Sequence, residues 1–272
     1  MVRSAPILIF LGLAFGLSWA IFFAVSIFQL PWWVVDLATL GPGLAVLAVR
    51  GPLFQEGFAD SGISRLGPAR AYPFAFLALP LVLVVACGLA VAGGVLQLHP
   101  NSVLEPTDPE AAEAFRLFGL LGLGLSLFVF PQVINALGEE LGWRDYLFPR
   151  LLTALGPRAA ILLSGLIWAA WHAPYNLLLG HNGGAAGYPL FVVYCIAFGA
   201  VLAWLRMRSG SIWPVVILHG AANYQPWVFL SVLAPGPATA QSAPAAVIGT
   251  SLYAAAILAG AFLLLRPGRF RP

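Results

Sequence analysis

The sequence predicts an all-α protein, a polytopic membrane helical bundle with about eight transmembrane helices. Three observations lead there. Of its 272 residues 61% are hydrophobic, against roughly 45–50% in an ordinary soluble domain. Only 8% are charged, where about 25% is usual, so there is too little polar side chain to cover a water-facing surface. The apolar residues come in long continuous runs that do not alternate, which selects helices over the strands of a membrane barrel. Disorder is excluded by the same figures, since disordered chains are poor in apolar residues.

A spanning helix needs about 20 mostly apolar residues. Eight stretches meet or nearly meet this: 5–29, 31–49, 71–98, 117–143, 159–180, 188–205, 211–232 and 247–265. The first follows Arg3 and runs from Ala5 to Leu30 without a charge. That is longer than the roughly 7–15 residues of a signal-peptide core, and it ends in bulky residues, so it reads as a retained anchor. The second carries Asp36, placed at an interfacial end, and the Gly41-Pro42-Gly43 break. The fourth closes on Glu139 and Glu140, the fifth holds His172 mid-way, and the seventh holds His219 and Asn223. The loops at 50–70 and 99–116 are too short to fold alone. The stretch 233–246, rich in Ala, Pro, Gly and Ser, reads as a flexible connector. No repeat period is evident, and residues 1–272 read as one integral membrane domain.

All 13 positive charges are arginines. With the eight stretches crossing in alternation, twelve fall on one side, and Arg116 stands alone on the other, in a loop that also carries Glu105, Asp108, Glu110 and Glu113. Cytoplasmic loops carry the Lys/Arg excess, so both termini are expected in the cytoplasm. The absence of lysine, with frequent Ala and Gly, points to a prokaryotic cell (inner) membrane. A net charge of +3 on scattered arginines excludes a nucleic-acid partner; the lipid bilayer is the expected one. Cys87 and Cys195 lie inside apolar stretches and read as buried small residues. Trp32, Trp33 and Trp227 read as interface anchors. His99 and His181 fall in outer loops and take no role.

Ionisable residues inside membrane helices mark functional sites by default. Glu140 and Arg144 are four apart and share a helix face, so they can pair; Glu139 points about 100° away. Trp168 and His172 are four apart, as are His219 and Asn223, so each pair projects from one side of its helix. At about 1.5 Å per residue, His172 lies roughly 20 Å along its span, His219 roughly 12 Å and Asn223 roughly 18 Å along theirs, and Glu139 roughly 8–17 Å from its cytoplasmic end. Taken singly, each has a bland reading: a packed histidine, an interfacial glutamate, an asparagine bonding across helices. Independent packing roles do not predict a common depth, however.

These residues resemble the motifs of the CPBP family, the CAAX-protease and bacteriocin-processing (ABI) intramembrane proteases of Rce type. EExxxR matches Glu139, Glu140 and Arg144. FxxxH matches at His172, with Trp168 in place of the usual Phe. HxxxN matches His219 and Asn223. The resemblance covers a core of about 130–230. It implies an intramembrane endopeptidase cutting near the cytoplasmic face of a membrane-associated peptide or protein, lipidated in some members. It also implies roles: Glu139 and His172 activating a water, His219 and Asn223 holding the oxyanion, Glu140 and Arg144 supporting the site. Peptide hydrolysis needs an activated water, an oxyanion donor and a proton for the leaving amine, and these side chains can supply each. Glu139, His172 and His219 would equally make the His₂Glu set of a zinc hydrolase, though no HExxH helix is present, and a metal-free glutamate mechanism stands beside it. Two other readings stay open: a transporter or ion/proton-relay protein using the same buried Glu/His cluster, and a non-catalytic immunity or scaffold protein of the same fold.

Overall fold

The computed structural model describes residues 4–98, 131–231, 233–237 and 239–270. The acidic loop 99–116, with His99 and Arg116, and the first part of the fourth predicted stretch, 117–130, lie outside the described residues, as does the side chain of Trp227. The architecture is a polytopic helical bundle, as the composition predicts. Among the described residues, five helical segments are long and apolar enough to cross a membrane: Ser4–Phe28, Trp32–Leu53, Ala71–Ala92, His181–Ser209 and Ala243–Leu265. The chain falls into two compact units, one of 1–71, 134–216 and 256–272, the other of 72–133 and 217–255.

The first unit opens with α1 (Ser4–Phe28). It is apolar all round, and only a stripe at Pro6, Phe10, Ala14, Ser18, Phe22 and Val25 is buried, leaving residues such as Leu8 and Ile27 exposed. That is the pattern of a helix with one protein-facing and one lipid-facing side. A 3₁₀ segment (Trp32–Leu40) follows and feeds α2 (Gly41–Ala48), whose first turn takes Pro42 at no cost because its N–H would lack a partner there anyway. The Gly-Pro-Gly break of the sequence is thus a helix start. Asp36 is exposed in the 3₁₀ segment, as are Trp32 and Trp33. Ser18 Oγ donates to the Ala38 carbonyl at 2.7 Å and ties the segment back to α1.

The next helix departs from the predicted boundary. α4 (Pro131–Glu140) runs without a break into a π-helical segment (Leu141–Leu147) and then α5 (Phe148–Leu155), ending only at Gly156, whose φ of 77° stops it. The predicted stretch ended at 143 because Arg144 and Asp145 follow. In the fold both charges are compensated and buried, so the helix continues past them.

α6 (Pro157–Trp171) and α7 (Ala173–Leu177) replace the single predicted fifth span. The break falls at His172, because Pro174 cannot continue a helix whose preceding carbonyl it would strike. His172 therefore sits at a helix junction and not mid-span. α8 (Gly184–Ser209) packs on α6 at Gly165, where an added Cβ would meet Ile196 Cα at 2.5 Å.

In the second unit, α3 (Ala71–Ala92) stops at Gly93-Gly94, short of the predicted end at 98. The chain then forms β1 (Leu96–Leu98), paired antiparallel with β2 (Leu233–Pro235). The predicted connector 233–246 is therefore ordered at its start. Leu96 and Leu233 join Leu83, Cys87 and Ile248 in one apolar cluster, which supplies the reason. The unit also holds most of α9 (Trp213–Ser231) and the first half of α10 (Ala243–Leu265). Cys87 and Cys195 are both buried free thiols.

Candidate active site

The motif residues of the first unit converge on Trp168, in the last turn of α6. Glu139 and Glu140 close α4, at the entry to the π segment, a local widening that recurs at functional sites. Both are buried, at 3% and 0% exposure. Burying a carboxylate is costly unless it is hydrogen-bonded or paired, and each finds a different partner. Arg144 Nη1 donates to Glu140 Oε1 at 2.7 Å, the i,i+4 pair that the spacing predicts. The indole Nε1–H of Trp168 donates to Glu139 Oε2 at 2.8 Å. The face of the same indole lies 4.0 Å from Arg144 Cζ, a cation–π contact. Gly199 on α8 makes room for this guanidinium: a Cβ there would lie 3.2 Å from Arg144 Nη2.

His172 caps α6 with φ −79° and ψ −2°, the sparsely populated bridge region where active-site residues often sit. Its Nδ1 lies 2.9 Å from the carbonyl oxygen of Trp168. A carbonyl only accepts, so Nδ1 carries the proton, and in the neutral ring Nε2 carries the lone pair. The other carbonyls at this helix end are taken as well. Ala169 O accepts from Tyr188 Oη at 2.9 Å, Trp171 O from Trp19 Nε1 at 2.9 Å, and His172 O from Asn176 Nδ2 at 3.0 Å. The junction is thereby fixed from three helices. His181, given no role by the sequence, stacks between Tyr175 at 4.2 Å and Trp32 at 4.5 Å.

His219 and Asn223 belong to the second unit, one turn apart on α9; His219 is buried and Asn223 half-buried. Gly220 lets this turn approach Gln132, whose carbonyl oxygen would lie 3.2 Å from an added Cβ.

A metal finds little support in the donors. Among the described residues, no group of three or more His, Cys, Asp or Glu side chains could hold a metal ion.

Two features escaped the sequence. Asp145, next to Arg144, is a buried charge centre. It accepts from Ser61 Oγ at 2.5 Å, Gly62 N at 2.7 Å, and Arg206 Nε and Nη2 at 3.1 and 2.7 Å. It pins the 54–70 loop and the end of α8 to the helix that carries the glutamates. Its partners lie 61 to 84 residues away, so no local spacing reveals them. The second is the hydrogen bond from Trp168. The sequence showed an aromatic of similar bulk to Phe, and the one signal available was the indole N–H itself.

Fold and site together define a helical membrane protein with a buried carboxylate and a half-buried imidazole both held by one tryptophan. Residues 121–225 match the family model described as Type II CAAX prenyl endopeptidase Rce1-like. Over 104 residues the chain is 29% identical to "CAAX prenyl protease 2" of Methanococcus maripaludis, an alignment covering 35% of this chain and 38% of that protein. The chain thus spans well under half the length of this curated relative. In its motifs and in both comparisons, this stretch is similar to CAAX-type prenyl endopeptidases.

Proposed function

We propose that the protein is an intramembrane endopeptidase that hydrolyses a peptide bond of a membrane-associated peptide or protein near the cytoplasmic face. The observation that carries this is the buried Glu139, held on one oxygen by the Trp168 indole, while the backbone carbonyl of the same tryptophan accepts from the Nδ1–H of His172. In the reaction, the Glu139 carboxylate takes a proton from a water that His172 orients through Nε2. The resulting hydroxide attacks the peptide carbonyl carbon. His219 and Asn223 donate to the oxyanion as the carbonyl π bond opens. On collapse the C–N bond breaks and Glu139 returns its proton to the leaving amine. The motif order and the family match support these roles. Glu140 and Arg144 hold the helix end that presents Glu139. The arginine distribution supports eight spans with both termini cytoplasmic, in a prokaryotic cell membrane. The name of the relative supports testing a CAAX substrate, a cysteine followed by two aliphatic residues and a terminal residue.

The test has two arms. Membrane protein termini are compared between cells carrying the wild type and Glu139→Gln, and new termini should arise with the wild type alone. Purified protein is given an internally quenched CAAX peptide with a farnesylated cysteine, and its unprenylated twin. A general base contributes about 10²–10⁴-fold, so Glu139→Gln, being nearly isosteric, should fold and lose at least that much rate. Removing an oxyanion donor at Asn223 should cost about 10²–10³-fold. A Glu139→Gln protein that cleaves at the wild-type rate ends the assignment.

A further inference from the structure

We propose that the indole N–H of Trp168 is a positioning group for the reaction, fixing the rotamer of Glu139 in a way that a phenylalanine at this place cannot. The inference rests on the base assignment just made for Glu139.

Three contacts of Trp168 reach three motif residues, and they are chemically separable. Its backbone carbonyl holds His172 Nδ1 at 2.9 Å. Its ring face holds Arg144 Cζ at 4.0 Å. Its ring edge donates from Nε1 to Glu139 Oε2 at 2.8 Å. A phenylalanine keeps a carbonyl and an aromatic face, so the first two contacts need no tryptophan. The third needs a ring N–H. The pattern that this segment resembles usually has Phe here, so the donor to the carboxylate is a property of this chain's own residue.

The geometry gives the bond a direct consequence. A glutamate has three side-chain torsions, and holding a group in its reactive geometry is a large part of catalytic rate. With Oε2 tied to the indole, the carboxylate plane is set by a residue at 3% exposure on a neighbouring helix. The ring that donates to Glu139 is itself braced by Arg144, which binds Glu140. The two adjacent glutamates are therefore oriented through one side chain, Glu139 by its edge and Glu140 through the cation on its face.

The experiment replaces Trp168 by Phe and, by genetic-code expansion, by benzothienylalanine, which keeps the bicyclic shape and puts sulfur where the N–H was. Both proteins are assayed in detergent on the farnesylated quenched peptide and its unprenylated twin, with melting curves recorded alongside. A hydrogen bond to a charged group supports a loss of about ten- to a hundredfold in kcat when it is removed. That loss should appear in both variants, with KM within about threefold of the wild type and with the benzothienyl protein melting as the wild type does. Wild-type kcat in the benzothienyl protein would overturn the proposal, whatever becomes of the Phe variant. So would a loss confined to KM, which would make Trp168 a substrate contact. A second readout needs no substrate. With ¹⁵N-indole labelling, the resonance lost in Trp168→Phe should shift in Glu139→Gln, and an unmoved resonance would overturn the bond. Glu139→Gln at full rate, or a wild type that cleaves neither peptide, removes the base assignment itself and this inference with it.

Discussion

Removing either charge of the Glu140–Arg144 pair should cost the fold far more than removing both. The pair lies at 2.7 Å with side-chain exposures of 0% and 4%. Breaking a buried pair leaves the other charge without its partner, a cost of about 3–5 kcal/mol. Arg144→Leu also gives up the cation–π contact with Trp168, about 1–2 kcal/mol more, so it should be the worse of the two single variants. The double variant Glu140→Leu/Arg144→Leu replaces the pair by apolar side chains, which is often neutral or stabilising. The coupling between the two sites should then exceed about 1 kcal/mol, well above the spread seen for independent sites. At roughly 2–4 °C per kcal/mol for a chain near this size, Glu140→Leu should melt about 6–20 °C lower in detergent and Arg144→Leu about 8–28 °C lower, and the double variant should recover part of that. Singles within a few degrees of the wild type, or a double equal to their sum, would refute the pairing as a stabilising element.

Three further expectations follow from the structure. Gly142→Leu should destabilise by about 1–3 kcal/mol or more through overpacking, because even a Cβ at Gly142 would lie 2.5 Å from Pro42 Cβ; a melt unchanged from wild type would show that α2 does not pack there. Asp60, outside the membrane, accepts two hydrogen bonds from Arg50, which hold its carboxyl below the ordinary value of 3.8. A depressed folded-state pKa contributes stability above the ordinary carboxylate range that is lost as pH falls through the folded value. Asp60→Asn should therefore melt below the wild type at neutral pH, with the gap closing on acidification; a gap that widens in acid would contradict the contact. Reporter fusions after residues 60, 110, 185 and 240 should read inside, outside, outside, outside if eight spans cross with cytoplasmic termini, and an inside signal at 110 or 240 would sink that topology.

What the sequence made legible was whatever depends on local spacing or gross composition. Helical architecture followed from the apolar runs, and α1, α3, α8, α9 and α10 fall where those runs lie. The Glu140–Arg144 contact followed from a separation of four. What it hid depended on distant partners. Arg144 and Asp145 looked like the end of a span because charges in sequence look solvated; only the approach of Arg206 and of the loop at Ser61 and Gly62 shows that Asp145 is buried and the helix continues. The break at His172 was visible in principle, since Pro174 stands two residues on, but the continuous apolar character of 159–180 outweighed it. The pairing of Leu96–Leu98 with Leu233–Pro235 joins segments far apart in sequence, and neither is long enough to announce a strand.

The five-residue word Gly138-Glu139-Glu140-Leu141-Gly142 does two jobs that constrain one another. Its glycines, four apart, share a face, and that face is spent on close approach. A Cβ at Gly138 would lie 2.6 Å from the Thr39 carbonyl, and one at Gly43 would lie 3.0 Å from the carbonyl of Gly138. Small residues at such spacing let membrane helices pack backbone to backbone. Once that face is fixed against α2, the two glutamates that follow Gly138 must point elsewhere, about 100° and 200° around the helix. Those are the directions in which Glu139 meets the indole edge on α6 and Glu140 meets Arg144 beside Gly199 of α8. A side chain at either glycine would push this helix off α2 and turn both carboxylates from their partners. Packing and chemistry are thus set by one short segment, and a substitution that touches neither glutamate is able to disorganise both.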